Sequence, residues 1–141
     1  MIVNIVTINK NNSQGLVTTL NSVREVKKYY LHLNLYVIDG CSSDKSINVI
    51  RKNIDIITKY ISEVDNGISD AFNKGIHLVS SKGYTIFMNS GDKFHNNFNL
   101  SKFVQNIINK DYNYVWGKSI KGDSIGGSKK NLLTLFNHVP H

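Results

Sequence analysis

The sequence has very little cysteine and proline, with one residue of each among its 141 residues. The single cysteine, Cys41, excludes an internal disulfide and has none of the paired spacings of a zinc site. No apolar run reaches the roughly 18 residues that a membrane-spanning helix needs. The N-terminus enters a strand-like pattern without a basic region or a cleavage site, so no secretory signal is expected. These features favour a cytoplasmic protein, with a position at the inner face of the membrane as an alternative.

The chain also lacks a block of positive charge, although its formal net charge is +7. Its lysines and arginines are spread from Lys10 to Lys130, and at most two of them are consecutive. Nucleic-acid-binding surfaces concentrate such residues on one face and interleave aromatic side chains. We therefore do not expect nucleic acid as a partner. A diffuse positive field favours a small anionic ligand or peripheral association with an anionic membrane.

Two glycine motifs that bind phosphate groups are absent. The chain contains neither G-x-G-x-x-G after its first strand nor G-x-x-x-x-G-K-[ST] anywhere, which disfavours a dinucleotide site and a P-loop. Phosphate groups bound here would therefore need a metal ion to neutralise them. The hard oxygen ligands of aspartate suit Mg²⁺ or Mn²⁺.

What the sequence does contain is an alternation of strand and helix patterns. Strands are predicted over residues 2–8, 33–39, 54–61, 84–88 and 112–117, and helices over the apolar stripes between them. Ser13 is placed to cap the first helix. Residues 121–130 are predicted as a loop and Asn131–Phe136 as a weak helix. The alternation predicts one α/β domain over residues 1–141, doubly wound, with a mainly parallel sheet and helices on both faces.

Polar residues follow four of the predicted strands. Ligands of open α/β sheets bind outside the carboxyl ends of the strands, so these residues are expected to converge. Carboxylates stand at three of the four ends, and clustered carboxylates repel unless they hold a cation or accept hydrogen bonds from a ligand. The residues are Thr7, Asn9 and Lys10, then Asp39, then Glu63 and Asp65, and finally Asn89, Ser90 and Asp92.

Four stretches, in this order, resemble motifs of one enzyme family. IVTIN resembles its opening strand, and VIDGCSSDKS resembles its V-x-D-G-x-S-x-D-x-[ST] stretch. SEVDNGISDAFNKGI resembles the S-E-x-D-x-G-I-Y-D-A-M-N-K-G-I segment of a bacterial polysaccharide subgroup, and FMNSGD stands at the acidic metal motif. The chain thus resembles the N-terminal, donor-binding part of a family 2 glycosyltransferase, an inverting enzyme of polysaccharide biosynthesis with the GT-A fold.

The resemblance implies a role for each matched position. It implies a nucleotide-sugar donor, with a UDP-sugar favoured, and a glycan or lipid-linked acceptor. It implies Asp92 as the ligand of Mg²⁺ or Mn²⁺ on the donor diphosphate. Two departures stand out, because Asp92 is alone where members often have two or three carboxylates, and Phe72 replaces an arginine near the donor phosphates. Lys74 is a candidate substitute for that arginine. The implied donor-binding residues are Thr7, Asn9, Asp39, Asp65, Asn73, Gly75, Asn89 and Ser90.

The last residues resemble the start of the acceptor side of the family. In NHVPH, His141 corresponds to a histidine near the acceptor site, so the chain is expected to stop before the acceptor half. The catalytic base is then expected beyond residue 141, since Asp111 and Asp123 match no motif. The alternative is a nucleotide-sugar-binding remnant without turnover, and a basic nucleic-acid-binding domain is a weaker third hypothesis. Asp70, in the first turn of its helix, is predicted to be structural.

Overall fold

The computed structural model describes residues 1–110, 114–117, 119–121, 124–126 and 133–138. Strands and helices alternate from the N-terminus up to the fourth helix, and the residues described after it form strands. The elements are β1 (Val3–Asn9), α1 (Ser13–Lys27), β2 (Leu33–Asp39), α2 (Ser46–Lys52), β3 (Lys59–Ser62), α3 (Ile68–Leu78), β4 (Gly83–Asn89), α4 (Leu100–Asn109), β5 (Tyr114–Gly117), β6 (Ser119–Lys121), β7 (Ser124–Gly126) and β8 (Leu133–His138).

Six of the strands form one mixed sheet in the order β3-β2-β1-β4-β8-β5. The first four of these are parallel. The last residues of β1, β2 and β3 lie in register, with Asn9 opposite Asp39 and Asp39 opposite Ser62, and the last residue of β4, Asn89, lies opposite Ile8. Strand β8 runs antiparallel to β4 and to β5. The carboxyl ends of β1, β2, β3 and β4 therefore meet at one edge, which we call the carboxyl edge of the sheet.

Helices cover both faces of the sheet, as a doubly wound fold requires. Strand β1 is buried along its whole length because it is central, and its side chains alternate between the two faces. Val3 and Ile5 belong to a core cluster with buried residues of α1, α2 and α4. Val6 and Ile8 belong to a second cluster that includes Ala71 of α3. The prediction of an α/β fold with a mainly parallel sheet is confirmed.

A glycine lets α3 lie close to the sheet. Gly75 is buried, and a Cβ atom there would stand 2.2 Å from Cγ1 of Val6 and 3.3 Å from Cγ1 of Ile38. Only a residue without a side chain fits between the helix backbone and these β-branched side chains. Gly75 therefore sets the distance between α3 and strands β1 and β2.

Two local predictions in the first half of the chain were wrong. The cap of α1 is Asn12, whose Oδ1 accepts a hydrogen bond from the Gly15 amide at 3.0 Å, and not Ser13. Strand β3 begins at Lys59 instead of residue 54. Ile56 and Ile57, which suggested the earlier start, are buried core residues in the connection before the strand. Their apolar character reflects burial and not strand pairing.

Near the C-terminus, a predicted helix is a strand. The weak helix predicted over Asn131–Phe136 overlaps β8, which pairs with β4 with Leu135 opposite Ile86. The outer edge of β4 would otherwise present unpaired backbone groups, so pairing overrides a weak local preference. The loop predicted over residues 121–130 also includes β7, which pairs with β6. In the part of the chain that the structure describes, no helix is long and apolar enough to cross a membrane.

Candidate functional site

A cleft of about 210 Å³ opens at the carboxyl edge of the sheet. It lies between the ends of β1 and β4 on one side and the start of α3 on the other. Four of its lining residues are predicted donor-binding residues that come from three separate segments of the chain. The lining residues are Ile8, Asn9, Lys10, Asp65, Gly67, Ile68, Ala71, Asn89 and Ser90.

Asp39 is fully buried at the end of β2, beside the cleft. Its Oδ1 accepts hydrogen bonds from Asn9 Nδ2 at 2.9 Å and Ser42 Oγ at 2.6 Å. Its Oδ2 accepts from the Ser42 amide at 2.9 Å and Ser62 Oγ at 2.7 Å. Burial raises the pKa of the Asp39 carboxyl, but hydrogen bonds from Ser42, Ser62 and Asn9 together outweigh it, so the pKa lies below 3.8.

These four bonds occupy the roughly four acceptor positions of a carboxylate. Asp39 therefore ties together the ends of β1, β2 and β3. A hydrogen bond from Asp39 to a nucleotide base would need one of these donors to move, and that contact stays a prediction. The donors Ser42 and Ser62 were not among the predicted site residues, although both stand at serine positions of the motifs that the chain resembles.

Asn9 and Thr7 are buried polar side chains on β1. Asn9 Nδ2 donates to Asp39 and also to Ser46 Oγ at 2.9 Å, which fixes the orientation of the amide. Within the described residues, Asn9 Oδ1 and Thr7 Oγ1 have no hydrogen-bond partner. An unpaired buried acceptor is unfavourable unless a ligand or an ordered water donates to it. Their predicted position beside the nucleotide stays a prediction.

Asp65 reaches the cleft because residue 40 is glycine. A Cβ atom on Gly40 would stand 2.2 Å from Asp65 Oδ2, so the carboxylate lies directly over the Gly40 backbone. Asp65 Oδ1 accepts a hydrogen bond from the Gly67 amide at 3.0 Å, which closes the turn before α3. Gly40 was not among the predicted site residues, although it directly follows Asp39. The role of Gly40 is to leave space for the Asp65 carboxylate, and this contact joins two segments whose proximity the sequence does not show.

Lys74 does not take the place of the missing arginine. Its Nζ lies 3.0 Å from Glu63 Oε1 and 3.4 Å from Asp70 Oδ2, and it donates to the Val64 carbonyl at 2.6 Å. It is absent from the residues that line the cleft. Asp70 also accepts a hydrogen bond from the Asn66 amide at 2.9 Å, as its predicted structural role requires. Lys74 and Asp70 thus brace the turn that carries Asp65.

The turn after β4 presents Asp92 to solvent and is held by α1. Asp92 Oδ2 accepts a hydrogen bond from the Asn89 amide at 2.9 Å. Thr19 Oγ1 accepts from the Gly91 amide at 3.0 Å and donates to the Asp92 carbonyl at 2.7 Å. Gly91 has a φ of 106°, a conformation that glycine adopts readily. The turn therefore has a defined shape before any ligand arrives.

Thr19 was missed in the sequence, although a signal was present. It is a fully buried polar residue on the face of α1 that otherwise carries Leu16, Leu20 and Val23. A polar residue within a buried apolar stripe needs a hydrogen-bond partner, and such residues often hold a neighbouring segment. Asn12, which caps α1, also donates to the Ser90 carbonyl at 3.1 Å. The first half of α1 thus supports the whole turn after β4.

The family model for glycosyl transferase family 2 matches residues 4–138. The chain belongs to this family. No curated protein matches the chain by sequence. The predicted family membership is therefore confirmed by the family model.

Several solved glycosyltransferase structures share the fold. The structure of S. aureus TarS 1-349 superimposes with a TM-score of 0.81 at 14% identity, covering 97% of this chain and 47% of that fragment. The same TarS fragment in complex with UDP-GlcNAc gives a TM-score of 0.78 at 15% identity, with 97% and 45% covered. The mannosyltransferase PcManGT from Pyrobaculum calidifontis, in complex with GDP-Man and Mn2+, gives 0.71 at 15% identity, with 84% and 35% covered.

These matches establish the GT-A fold of the family 2 chain. They also show that the chain spans about half the length of the solved structures it matches first, since it covers 47% of TarS 1-349. His141, the predicted acceptor-side residue, lies outside the described residues, as do Asp111 and Asp123, which match no motif.

The chemistry of Asp92 fits a divalent cation that is shared with a bound phosphate group. Within the described residues, no three His, Cys, Asp or Glu side chains group together to hold a metal ion. Mg²⁺ is commonly held by one or two carboxylates together with substrate phosphates and water. Asp92 is exposed, and no described donor occupies its Oδ1. A single carboxylate of this kind suits an ion that arrives with the donor diphosphate.

The remaining two predicted donor-binding residues are both on α3. Asn73 is exposed on the surface of the helix, while Gly75 is buried against Val6. Neither lines the cleft. A direct role of either residue toward the donor stays a prediction, and the geometry of Gly75 assigns it to packing.

Proposed function

We propose that this chain is the donor-binding part of an inverting glycosyltransferase that uses a UDP-sugar and acts on a glycan or a lipid-linked acceptor in polysaccharide biosynthesis. The observation that carries the proposal is the cleft of a family 2 chain, where Asn9, Asp65, Asn89 and Ser90 converge at the carboxyl edge. Such edges are where α/β folds bind their ligands. TarS in complex with UDP-GlcNAc and PcManGT in complex with GDP-Man support a nucleotide-sugar as the donor.

The proposed reaction is a single displacement at the anomeric carbon. The acceptor hydroxyl forms a new bond to that carbon while its proton passes to a carboxylate base. The bond from the anomeric carbon to the diphosphate oxygen breaks, and the nucleoside diphosphate leaves with the electron pair. We assign the base to the acceptor side of the protein, which His141 would begin. The described residues would bind and orient the donor.

We also propose that donor binding involves Mg²⁺ or Mn²⁺. Asp92 would hold the ion, which would neutralise charge on the diphosphate leaving group. The presence of Mn2+ in the PcManGT complex supports this role for a divalent ion. For the location, we propose the cytoplasm, with the inner face of the membrane as the alternative. The free and exposed thiol of Cys41 supports a reducing compartment.

Calorimetric titration with UDP tests the proposal. We expect the affinity to rise when MnCl₂ replaces EDTA, and we expect Asp92→Asn to remove that rise. Asp55→Asn is the matched control, because Asp55 is an exposed carboxylate on the connection that enters β3, away from the carboxyl edge. Equal UDP affinity in Mn²⁺ and EDTA would contradict the metal role. Failure of the wild-type chain to bind either UDP or GDP would contradict the proposed function.

A further inference from the structure

The cleft contains one cation and one carboxylate among the residues that line it. The carboxylate is Asp65 and the cation is Lys10, which directly follows β1. Lys10 was not among the residues to which the family motifs assign a role. A nucleotide-sugar carries its negative charge on the diphosphate, so a cation in the cleft is placed to recognise that group.

The ammonium group of Lys10 forms no ion pair within the part of the protein that the structure describes. The Lys10 side chain is exposed. Its aliphatic stem lies over Gly40, where a Cβ atom would stand 3.2 Å from Lys10 Cδ. Asp65 Oδ2 lies over the same glycine, yet the two side chains form no ion pair. The stem is therefore positioned while the ammonium group stays available to a ligand.

The two positions of α3 that were expected to supply a cation to the diphosphate do not supply one. Lys74 is held by Glu63, Asp70 and the Val64 carbonyl. Phe72 packs its ring edge against Phe87, with ring centroids 5.0 Å apart, and carries no charge. Lys10 thus supplies at the end of β1 a positive charge that α3 does not supply.

We propose that the ammonium group of Lys10 binds the diphosphate of the nucleotide-sugar donor. The inference rests on the proposed function and adds a second means of neutralising the donor, independent of the metal ion at Asp92. It follows that part of the affinity for a nucleoside diphosphate persists in EDTA and depends on Lys10. It also follows that Lys10 contributes to the binding of phosphate groups and not of the nucleoside.

The test compares UDP and uridine as probes in calorimetric titrations of the chain, each in EDTA and in MnCl₂. Lys10→Met removes the charge and keeps the length of the stem, and Lys10→Arg keeps the charge. Lys82→Met is the matched control, since Lys82 is an exposed lysine just before β4, at the opposite edge of the sheet. Thermal unfolding of each variant checks that its fold is retained.

We expect Lys10→Met to lower the UDP affinity in EDTA by at least about tenfold, the effect of one lost charged hydrogen bond. Uridine affinity should stay unchanged, Lys10→Arg should keep most of the UDP affinity, and Lys82→Met should bind as wild type. Unchanged UDP affinity in Lys10→Met, or an equal loss for UDP and uridine, would overturn the inference while leaving the proposed function standing. A wild-type chain that binds neither UDP nor GDP would overturn both.

Discussion

The hydroxyl group of Thr19 connects α1 to the backbone of Gly91 and of Asp92, two consecutive residues of the turn after β4. It donates to the Asp92 carbonyl at 2.7 Å and accepts from the Gly91 amide at 3.0 Å. Thr19 is fully buried, so neither bond competes with water. Because Asp92 Oδ2 accepts in turn from the Asn89 amide, the orientation of the carboxylate depends on the shape of this turn. A residue that contacts no ligand therefore positions the proposed metal ligand.

Replacement of Thr19 should impair metal-dependent binding through the turn. Thr19→Val keeps the volume of the side chain and removes both hydroxyl bonds to the turn, while the Gly91 amide keeps the Gly15 carbonyl as an acceptor at 3.1 Å. The loss of stability should therefore be about 1 kcal/mol. We expect UDP affinity in MnCl₂ to fall toward its value in EDTA, with little change in EDTA itself. Denaturant unfolding and calorimetry measure the two effects.

Thr18→Val is the control for that experiment. The Thr18 hydroxyl donates to the Gln14 carbonyl at 3.2 Å within α1 and does not contact the turn. It should bind UDP as wild type does in both conditions. If a folded Thr19→Val kept the full rise in affinity with Mn²⁺, the positioning role of Thr19 would be wrong.

The buried Asp39 carboxylate should make stability depend on pH at the acidic end. Its pKa lies below the ordinary 3.8 in the folded protein. A depressed pKa means that the folded state prefers the charged form, so this contribution is complete above pH 3.8 and is lost as the pH falls through the folded pKa. We expect the free energy of unfolding to fall on acidification in that range.

A comparison with Asp39→Asn isolates this contribution from other acids, such as Asp44, whose pKa is about 2 because it accepts hydrogen bonds from Ser46 and the Ser13 amide. The variant replaces an acceptor oxygen by an amino group that faces donors, so it should be less stable than wild type at pH 7. The difference in free energy of unfolding between the two proteins should shrink as the pH falls below 3.8. A difference that stays constant with pH would show that the carboxylate charge contributes nothing.

Much of the parallel sheet could be predicted, because its strands are short apolar runs that end in polar residues. The predicted range 33–39 matches β2, and the rule that ligands bind at strand carboxyl ends brought Asn9, Asp65, Asn89 and Ser90 together. These features depend on local composition and on one topological rule. Both can be recognised from a single sequence.

The features that were missed depend on contacts between distant segments. Strand β8 was taken for a helix because its strand character comes from pairing with β4. The acceptor positions of the Asp39 carboxylate are all filled only because Asn9 of β1 and Ser62 of β3 donate to it. These residues come together only in the folded chain. A sequence shows that a carboxylate ends a strand but does not show which donors will surround it.

The close contact between Gly40 and Asp65 gives the last prediction. Gly40→Ala would place a methyl carbon 2.2 Å from Asp65 Oδ2. The backbone at residue 40 can accept alanine without strain, because Gly40 does not have a positive φ. The half-buried Asp65 side chain ends in a carboxylate that can rotate away, so the loss of stability should be below about 1 kcal/mol. The carboxylate should leave the cleft, and affinity for UDP-GlcNAc should fall by about fivefold or more.

A double-mutant cycle with Asp65→Ala shows whether the effect of Gly40→Ala passes through Asp65. Once the carboxylate is absent, the added methyl group has little left to displace, so the double variant should bind UDP-GlcNAc about as well as Asp65→Ala alone. The approach of Lys10 Cδ to the same position, at 3.2 Å, is looser and involves a flexible stem. If the losses of UDP-GlcNAc affinity in the two single variants add up in the double variant, the methyl group acts on Lys10 or on the ligand directly. Gly40 would then not be what positions Asp65.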